Sequence, residues 1–185
     1  MQAVATAELT LPERAILASS ASAAYLDHFS SADRMMVSVS QYVGRITRKR
    51  RYYSRGQAYT IEWQDFGQPL PNWFDPLVQG FVDALALPPN WDSYNAVAID
   101  SKTVHDAINF IETVLAPTSP APRVMPLASG GVQLEWHRKG IDLEVIFDPA
   151  EEPLFFCKNR VNGEESEHEL PKHSSLLASI IASLE

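Results

Sequence analysis

Gly130-Gly131-Val132-Gln133-Leu134-Glu135-Trp136-His137-Arg138-Lys139-Gly140-Ile141-Asp142-Leu143-Glu144-Val145-Ile146-Phe147 is the stretch whose reading decides the fold. Val132, Leu134 and Trp136 alternate with Gln133, Glu135 and His137. Ile141, Leu143, Val145 and Phe147 alternate with Asp142, Glu144 and Ile146. Period-two alternation marks half-buried strands. A three-residue loop at 138–140 would pair His137 with Ile141 and mix the faces. A two-residue turn at Lys139-Gly140 pairs Trp136 with Leu143, Leu134 with Val145 and Val132 with Phe147. A one-residue slip sends every side chain to the other face, so the apolar pattern selects the two-residue turn. Gly140 supplies one of the two positive φ angles that a type I′ turn needs.

That register predicts the polar face. His137 lies opposite Asp142, and Glu135 opposite Glu144. A like-charge cross-strand pair is unfavourable by a few tenths of a kcal/mol or more, roughly. The carboxylates therefore meet a cation, a metal or a basic partner, or else a neighbouring strand supplies Lys or Arg or both are simply solvated. Arg123 to Ala128 reads as a strand leading in, with Pro126 marking it as an edge. Leu154 to Lys158 reads as a strand leading out. Together these make an antiparallel meander.

The chain has 185 residues, 45% of them hydrophobic and 21% charged, which suits a globular protein with a sizeable core. Its net charge is −8, unevenly spread. Residues 1–60 carry eight basic and four acidic side chains; residues 61–185 carry seven and nineteen. The acidic part argues against broad phosphate-backbone binding and favours a basic protein partner. No apolar run reaches the ~20 residues of a membrane span. No basic segment followed by an apolar core opens the chain, so a cytoplasmic location is expected. Cys157 is the only cysteine and reads as a structural thiol in Leu-Phe-Phe-Cys.

Two regions are expected: an N-terminal helix and basic hairpin over 1–70, and an α+β domain with the meander over 71–185. Thr10-Leu11-Pro12-Glu13 reads as a capping box before a helix to about Phe29. Met36 to Ile46 and Gln57 to Trp63 read as paired strands. Asp75-Pro76 reads as the cap of a short helix burying Leu77, Val78, Phe81, Val82 and Leu85. Ser101 reads as the cap of a helix to about Leu115, with Val104, Ile108, Ile111 and Leu115 on one face. Residues 116–123 form a proline-containing linker. Val161 to Leu170 is polar, with a turn at Asn162-Gly163. Lys172 to Leu184 reads as a last helix burying Leu176, Leu177, Ile180, Ile181 and Leu184.

Three groups carry candidate chemistry. Arg45, Arg48, Lys49, Arg50, Arg51 and Arg55, interleaved with Tyr52 and Tyr53, would sit at the tip between the two N-terminal strands. Clustered cations bind phosphates and tyrosines stack on bases, so this segment is the candidate nucleic-acid contact; alternatively it is a solvated tip, or docks on the acidic half of the chain or on a partner. Trp91, Asp92 and Tyr94 in Trp-Asp-Ser-Tyr-Asn-Ala form a loop between helices. Asp92 there is a candidate acid or base, or else the loop closes on its own backbone with Trp91 and Tyr94 as anchors. Glu135, His137, Asp142 and Glu144 could face a partner, or hold a metal for a hydrolase with Lys139 or Lys158 nearby. His105, His168 and His173 read as surface residues. No phosphate-binding glycine loop or nucleophile elbow occurs, and no cofactor or resident metal is expected.

Trp91-Asp92-Ser93-Tyr94-Asn95-Ala96, followed by a helix, prolines and Gly130-Gly131-Val132-Gln133-Leu134-Glu135-Trp136, resembles an uncharacterised bacterial family. Its pattern is Trp-Asp-Gly/Ser-Tyr-Gly-Ala and then Asp-Gly-Gly-Val/Ile-Gln-Leu-Glu-Trp. The likeness covers residues 87–150; Asn95 stands where that family has Gly, and Ser129 where it has Asp. The resemblance implies toxin–antitoxin or phage-defence gene neighbourhoods and supplies no catalytic residues to carry over. The expected function is a non-enzymatic, acidic, partner-binding protein of antitoxin or immunity type. Its contact surface would be Glu135, His137, Asp142 and Glu144 with the sheet edge at 123–128, and its partner a neighbouring gene's product. Nucleic-acid binding through 45–55 and metal-assisted hydrolysis are the alternatives.

Overall fold

The computed structural model describes residues 6–10, 46–65 and 69–185. The helix expected up to Phe29, the strand expected over 36–45 and Arg45 itself lie outside the described residues. The fold is α+β. Strands β1 (Thr6–Thr10), β2 (Ile46–Ser54) and β3 (Gln57–Asp65) form a sheet of order β1-β3-β2. Helices α1 (Phe74–Leu85) and α2 (Ser101–Val114) follow. Strands β4 (Arg123–Pro126), β5 (Val132–Arg138), β6 (Ile141–Phe147), β7 (Leu154–Asn159) and β8 (Glu165–Glu169) make a five-stranded antiparallel meander in chain order, and α3 (Ser174–Ser183) closes the sequence of elements.

The β5–β6 register is the one that the apolar pattern demands. Trp136 pairs with Leu143, Leu134 with Val145 and Val132 with Phe147. Lys139 (φ 49°) and Gly140 (φ 78°) are both left-handed, as a two-residue I′ turn requires. The inner face carries Val124, Leu134, Val145 and Phe155 in one row across four strands. Trp136, Leu143 and Phe155 are fully buried there. The Trp136 indole donates to the Pro120 carbonyl at 2.8 Å, which satisfies a polar atom that burial would otherwise leave costly.

All three helices reach this inner face. On α1, a Cβ at Gly80 would lie 2.7 Å from Val124 Cγ2, so glycine is what lets α1 press onto β4. Phe110 of α2 meets Phe147 with ring centroids 5.9 Å apart. Leu177, Ile181 and Leu184 bring the α3 segment into the core. Tyr52, Tyr59, Ile61 and Trp63 of the first sheet belong to the same buried cluster.

Four local expectations need correction. Asp75 does not cap α1; Trp73 holds that position, and the Asp75 carboxylate turns to β2 instead. Ser101 is the first residue of α2, not its cap: Asp100 accepts from Lys102 N and Thr103 N. Leu176 is 40% exposed, because α3 starts at Ser174 and presents Leu177 and Ile181 inward. Residues 165–169 form a strand within a stretch expected to be only polar and turn-forming, although Asn162-Gly163 does make the turn. Thr6–Thr10 itself pairs in parallel with β3, and the helix that Thr10 is expected to cap lies outside the described residues.

Candidate functional site

The outer face of the five-stranded sheet follows from strand alternation. The ladder places His137, Asp142, Lys158 and Glu165 in one row. Glu135, Glu144, Phe156 and Glu167 form the next. Gln133, Ile146, Leu154 and Glu169 form a third. The expected facing pairs, His137 with Asp142 and Glu135 with Glu144, are both present.

Most charges in the first row are mutually satisfied. His137 Nδ1 lies 2.6 Å from Asp142 Oδ1, and Nε2 lies 3.3 Å from Glu135 Oε2. Arg160 reaches Asp142 at 2.7 Å, and Lys158 reaches Glu165 at 2.6 Å. The bond to Asp142 raises the imidazole pKa above its ordinary value; partial desolvation opposes this, and Glu135 adds to it. The same bond lowers the Asp142 carboxyl, against slight desolvation, with Arg160 contributing. Gln133 donates to Glu135 at 2.8 Å. Arg160, just beyond β7, thus serves Asp142, and the imidazole serves Glu135; neither cation bonds Glu144. Both imidazole nitrogens are turned to carboxylates. Among the described residues, no group of three or more His, Cys, Asp or Glu side chains is arranged to hold a metal ion.

The second row is different. Glu144 and Glu167 flank Phe156 from the two neighbouring strands, and among the described residues neither has an ion-pair partner. Phe156 is half-buried between them, beside the half-buried Ile146 and Leu154. Phe156 and Glu167 were not singled out from sequence. A period-two reading of Glu165, Glu167 and Glu169 would have placed all three on one face of a strand.

The basic segment is not a hairpin tip. It is strand β2 itself, and only Arg55 with Gly56 forms the turn, at φ 48° and 78°. Alternation therefore divides its cations. Arg50 and Tyr52 lie opposite Ile61 and Tyr59 on the core side. Both donate to Asp75 of α1, Tyr52 at 2.7 Å, and the Arg50 guanidinium sits over Trp63 at 5.7 Å. Burial, with the bond to Asp75, raises the Tyr52 hydroxyl pKa. Partial burial works to raise the Asp75 carboxyl, but the bonds from Tyr52 and Arg50 prevail and lower it. Arg48 shares the alternation of Arg50, opposite Trp63, while Lys49 pairs with Glu62 on the other face. Arg51, Tyr53 (64% exposed) and Arg55 face solvent.

The motif loop is built on its own backbone. Asp92 Oδ1 accepts from Tyr94 N at 2.7 Å and Ala96 N at 3.0 Å, and Asn90 Oδ1 accepts from Asn95 N at 2.8 Å. Asn90, Ser93 and Asn95 all have positive φ, 61°, 67° and 72°. Asp92 is therefore committed to holding the turn. Tyr94 does not anchor the loop, being 86% exposed; Trp91 is the half-buried member. The segment that follows this loop meets the start of the hairpin stretch. Val97 N donates to Ala128 O, and Asp100 N to Gly130 O. A Cβ on Gly130 would lie 2.9 Å from Val97 Cγ2, and one on Gly131 would run into the Phe147 carbonyl.

The sheet edge at β4 is poorly suited to pairing. Leu127 N bonds Gly131 O, so by ladder parity Val124 and Pro126 point their backbones outward, as does Pro122 just before the strand. Only Val124 has an N–H to offer, and α1 lies against it. A groove of about 440 Å³ runs here between Ser54, Arg55, Asp83, Leu87, Val124 and Pro126, and it includes none of the outer-face carboxylates. No helix among the described residues is long and apolar enough to cross a membrane. No protein family, curated protein or solved structure matches the chain.

Proposed function

We propose that this chain is a non-enzymatic, partner-binding protein of antitoxin or immunity type, acting in the bacterial cytoplasm. It binds a basic protein encoded by a neighbouring gene. The observation that carries the reading is the row Glu144–Phe156–Glu167 on the outer sheet face, where a half-buried aromatic lies between two carboxylates without internal cations. Apolar contact at the centre with charge at the rim is the usual anatomy of a protein interface. Unpaired carboxylates steer a basic partner and reject an acidic one. The presence of both Trp91–Ala96 and Gly130–Trp136 in the sequence and the net charge of −8 agree with this reading. Glu135, His137 and Asp142 then act as a pre-ordered flank, their charges already balanced by one another and by Arg160.

The test is co-expression with the product of the adjacent gene. Glu144→Lys combined with Glu167→Lys abolishes its capture, because both contacts become repulsive. Undiminished capture by a correctly folded double variant overturns the assignment.

A second reading, single-stranded nucleic-acid binding, draws on the solvent-facing set Arg51, Tyr53 and Arg55. It requires salt-dependent binding of an oligonucleotide that falls when Arg51 and Arg55 become Ala. Absence of binding at low salt ends it.

A further inference from the structure

We propose that strand β8 is a docking edge that accepts one added β-strand from a basic, extended segment of a protein partner. This rests on the partner-binding reading above and specifies how the partner is held. Leu170 N bonds Pro153 O and Asn159 N bonds Glu164 O, so the even-numbered residues of β8 face β7. The backbone groups of Glu165, Glu167 and Glu169 therefore point away from the sheet. The Glu169 carbonyl is taken by His173 Nδ1 at 3.0 Å, which closes one end. The N–H and C=O of Glu165 and Glu167 and the N–H of Glu169 have no bond among the described residues. A row of unpaired strand groups is a template for another strand.

The side chains define what can pair. Glu165, Glu167 and Glu169 project to the outer face together, while exposed Ser166 and half-buried His168 project to the inner one. Lys158 offsets Glu165 and Lys172 offsets Glu169. Glu167 is left in the middle without a cation, next to Phe156. A partner Lys or Arg set opposite Glu167 gains a charge contact and lays its aliphatic stem on Phe156. Self-pairing of β8 with β8 would stack glutamates against glutamates, so the same residues select against a second copy. The contrast with β4 supports the choice: there two of three outward positions are prolines, and here none is.

The probe is a short peptide alternating Lys and Val, with a Glu/Val peptide of equal length as control. At low salt the Lys/Val peptide should bind and slow exchange of the Glu165 and Glu167 amides, and added salt should weaken it. Glu167→Pro removes an outward N–H without breaking a bond to β7 and should lower affinity by about tenfold or more. Glu167→Lys, which keeps the N–H, should also weaken binding. Equal binding of the Glu/Val peptide, protection confined to other strands, or affinity unchanged by Glu167→Pro overturns the proposal. So does concentration-dependent self-association that Glu167→Pro removes. Capture of the neighbouring gene product separates the two levels. If Glu144→Lys abolishes capture and Glu167→Pro does not, the edge falls and the face reading stands; if neither variant affects it, both fall.

Discussion

Two hairpins in this protein turn on the same chemistry and are used differently. Arg55-Gly56 joins β2 to β3, and Lys139-Gly140 joins β5 to β6, with φ values within one degree of each other. In the second hairpin apolar residues alternate with polar ones, and the apolar face is buried under helices. In the first, β2 places Arg48 and Arg50 on the same side as Ile61 and Trp63 of its partner strand. There an arginine lies over an indole and a carboxylate of α1 holds the strand. The first hairpin is thus seated by burial, mainly through β3, and by a charged tether through β2, and only burial leaves an alternating apolar trace in the sequence.

The largest expected effect tests whether the two are equally well seated. Trp136→Ala should cost about 3–5 kcal/mol by emptying a fully buried site and leaving the Pro120 carbonyl unpaired. Ile61→Ala, equally buried in β3, should cost about 2–4 kcal/mol. Since both belong to one buried cluster, urea unfolding should show each variant shifting the same single transition. Separate transitions would mean that the hairpins are seated independently.

Acid and base should then part the two regions. Burial raises the Glu112 carboxyl on α2 to about 8. A raised folded pKa gives stability that is full below the unfolded value and lost as pH climbs through about 8. Glu112→Gln should therefore be more stable than the parent above about pH 8, by on the order of 1–2 kcal/mol for a part-exposed side chain, with no gain in acid. Asp75 behaves oppositely: its lowered carboxyl gives stability that is present above its unfolded pKa and lost as pH falls through the folded one. Asp75→Asn should cost about 1 kcal/mol near neutrality and flatten the acid limb. Stability curves across pH for both variants would sharpen or erase the distinction.

The smallest effect concerns the turns themselves. Gly56→Ala and Gly140→Ala should each cost about 1 kcal/mol through positive φ. Gly140→Ala should cost a few tenths of a kcal/mol more, because its Cβ would meet Val161 Cγ2 at 3.2 Å while Gly56 has open space. Thermal melts of the pair would detect the difference.

The hairpin at 132–147 was legible to the residue because its two faces differ in polarity, so only one register buries the apolar side. The edge at Pro126 was legible for a similar reason, since proline forbids a ladder bond. Strand β8 was not, because Glu-Ser-Glu-His-Glu carries no apolar alternation and reads as solvent-facing chain. The place of β2 was lost when its arginines were read as a solvated tip. Of the outer face, the His137–Asp142 and Glu135–Glu144 facings could be read, but Arg160 and Phe156 could not. Their positions depend on how β7 is registered against β6, and a single chain segment does not contain that. The motif loop was legible as a turn, whereas its contact with Gly130 needed the fold.

Pro122 and Pro126 have one more consequence. A five-stranded sheet with proline along one border can lengthen in one direction only. Copies of this chain therefore cannot join β8 to β4 in the head-to-tail contact that would propagate into a fibre.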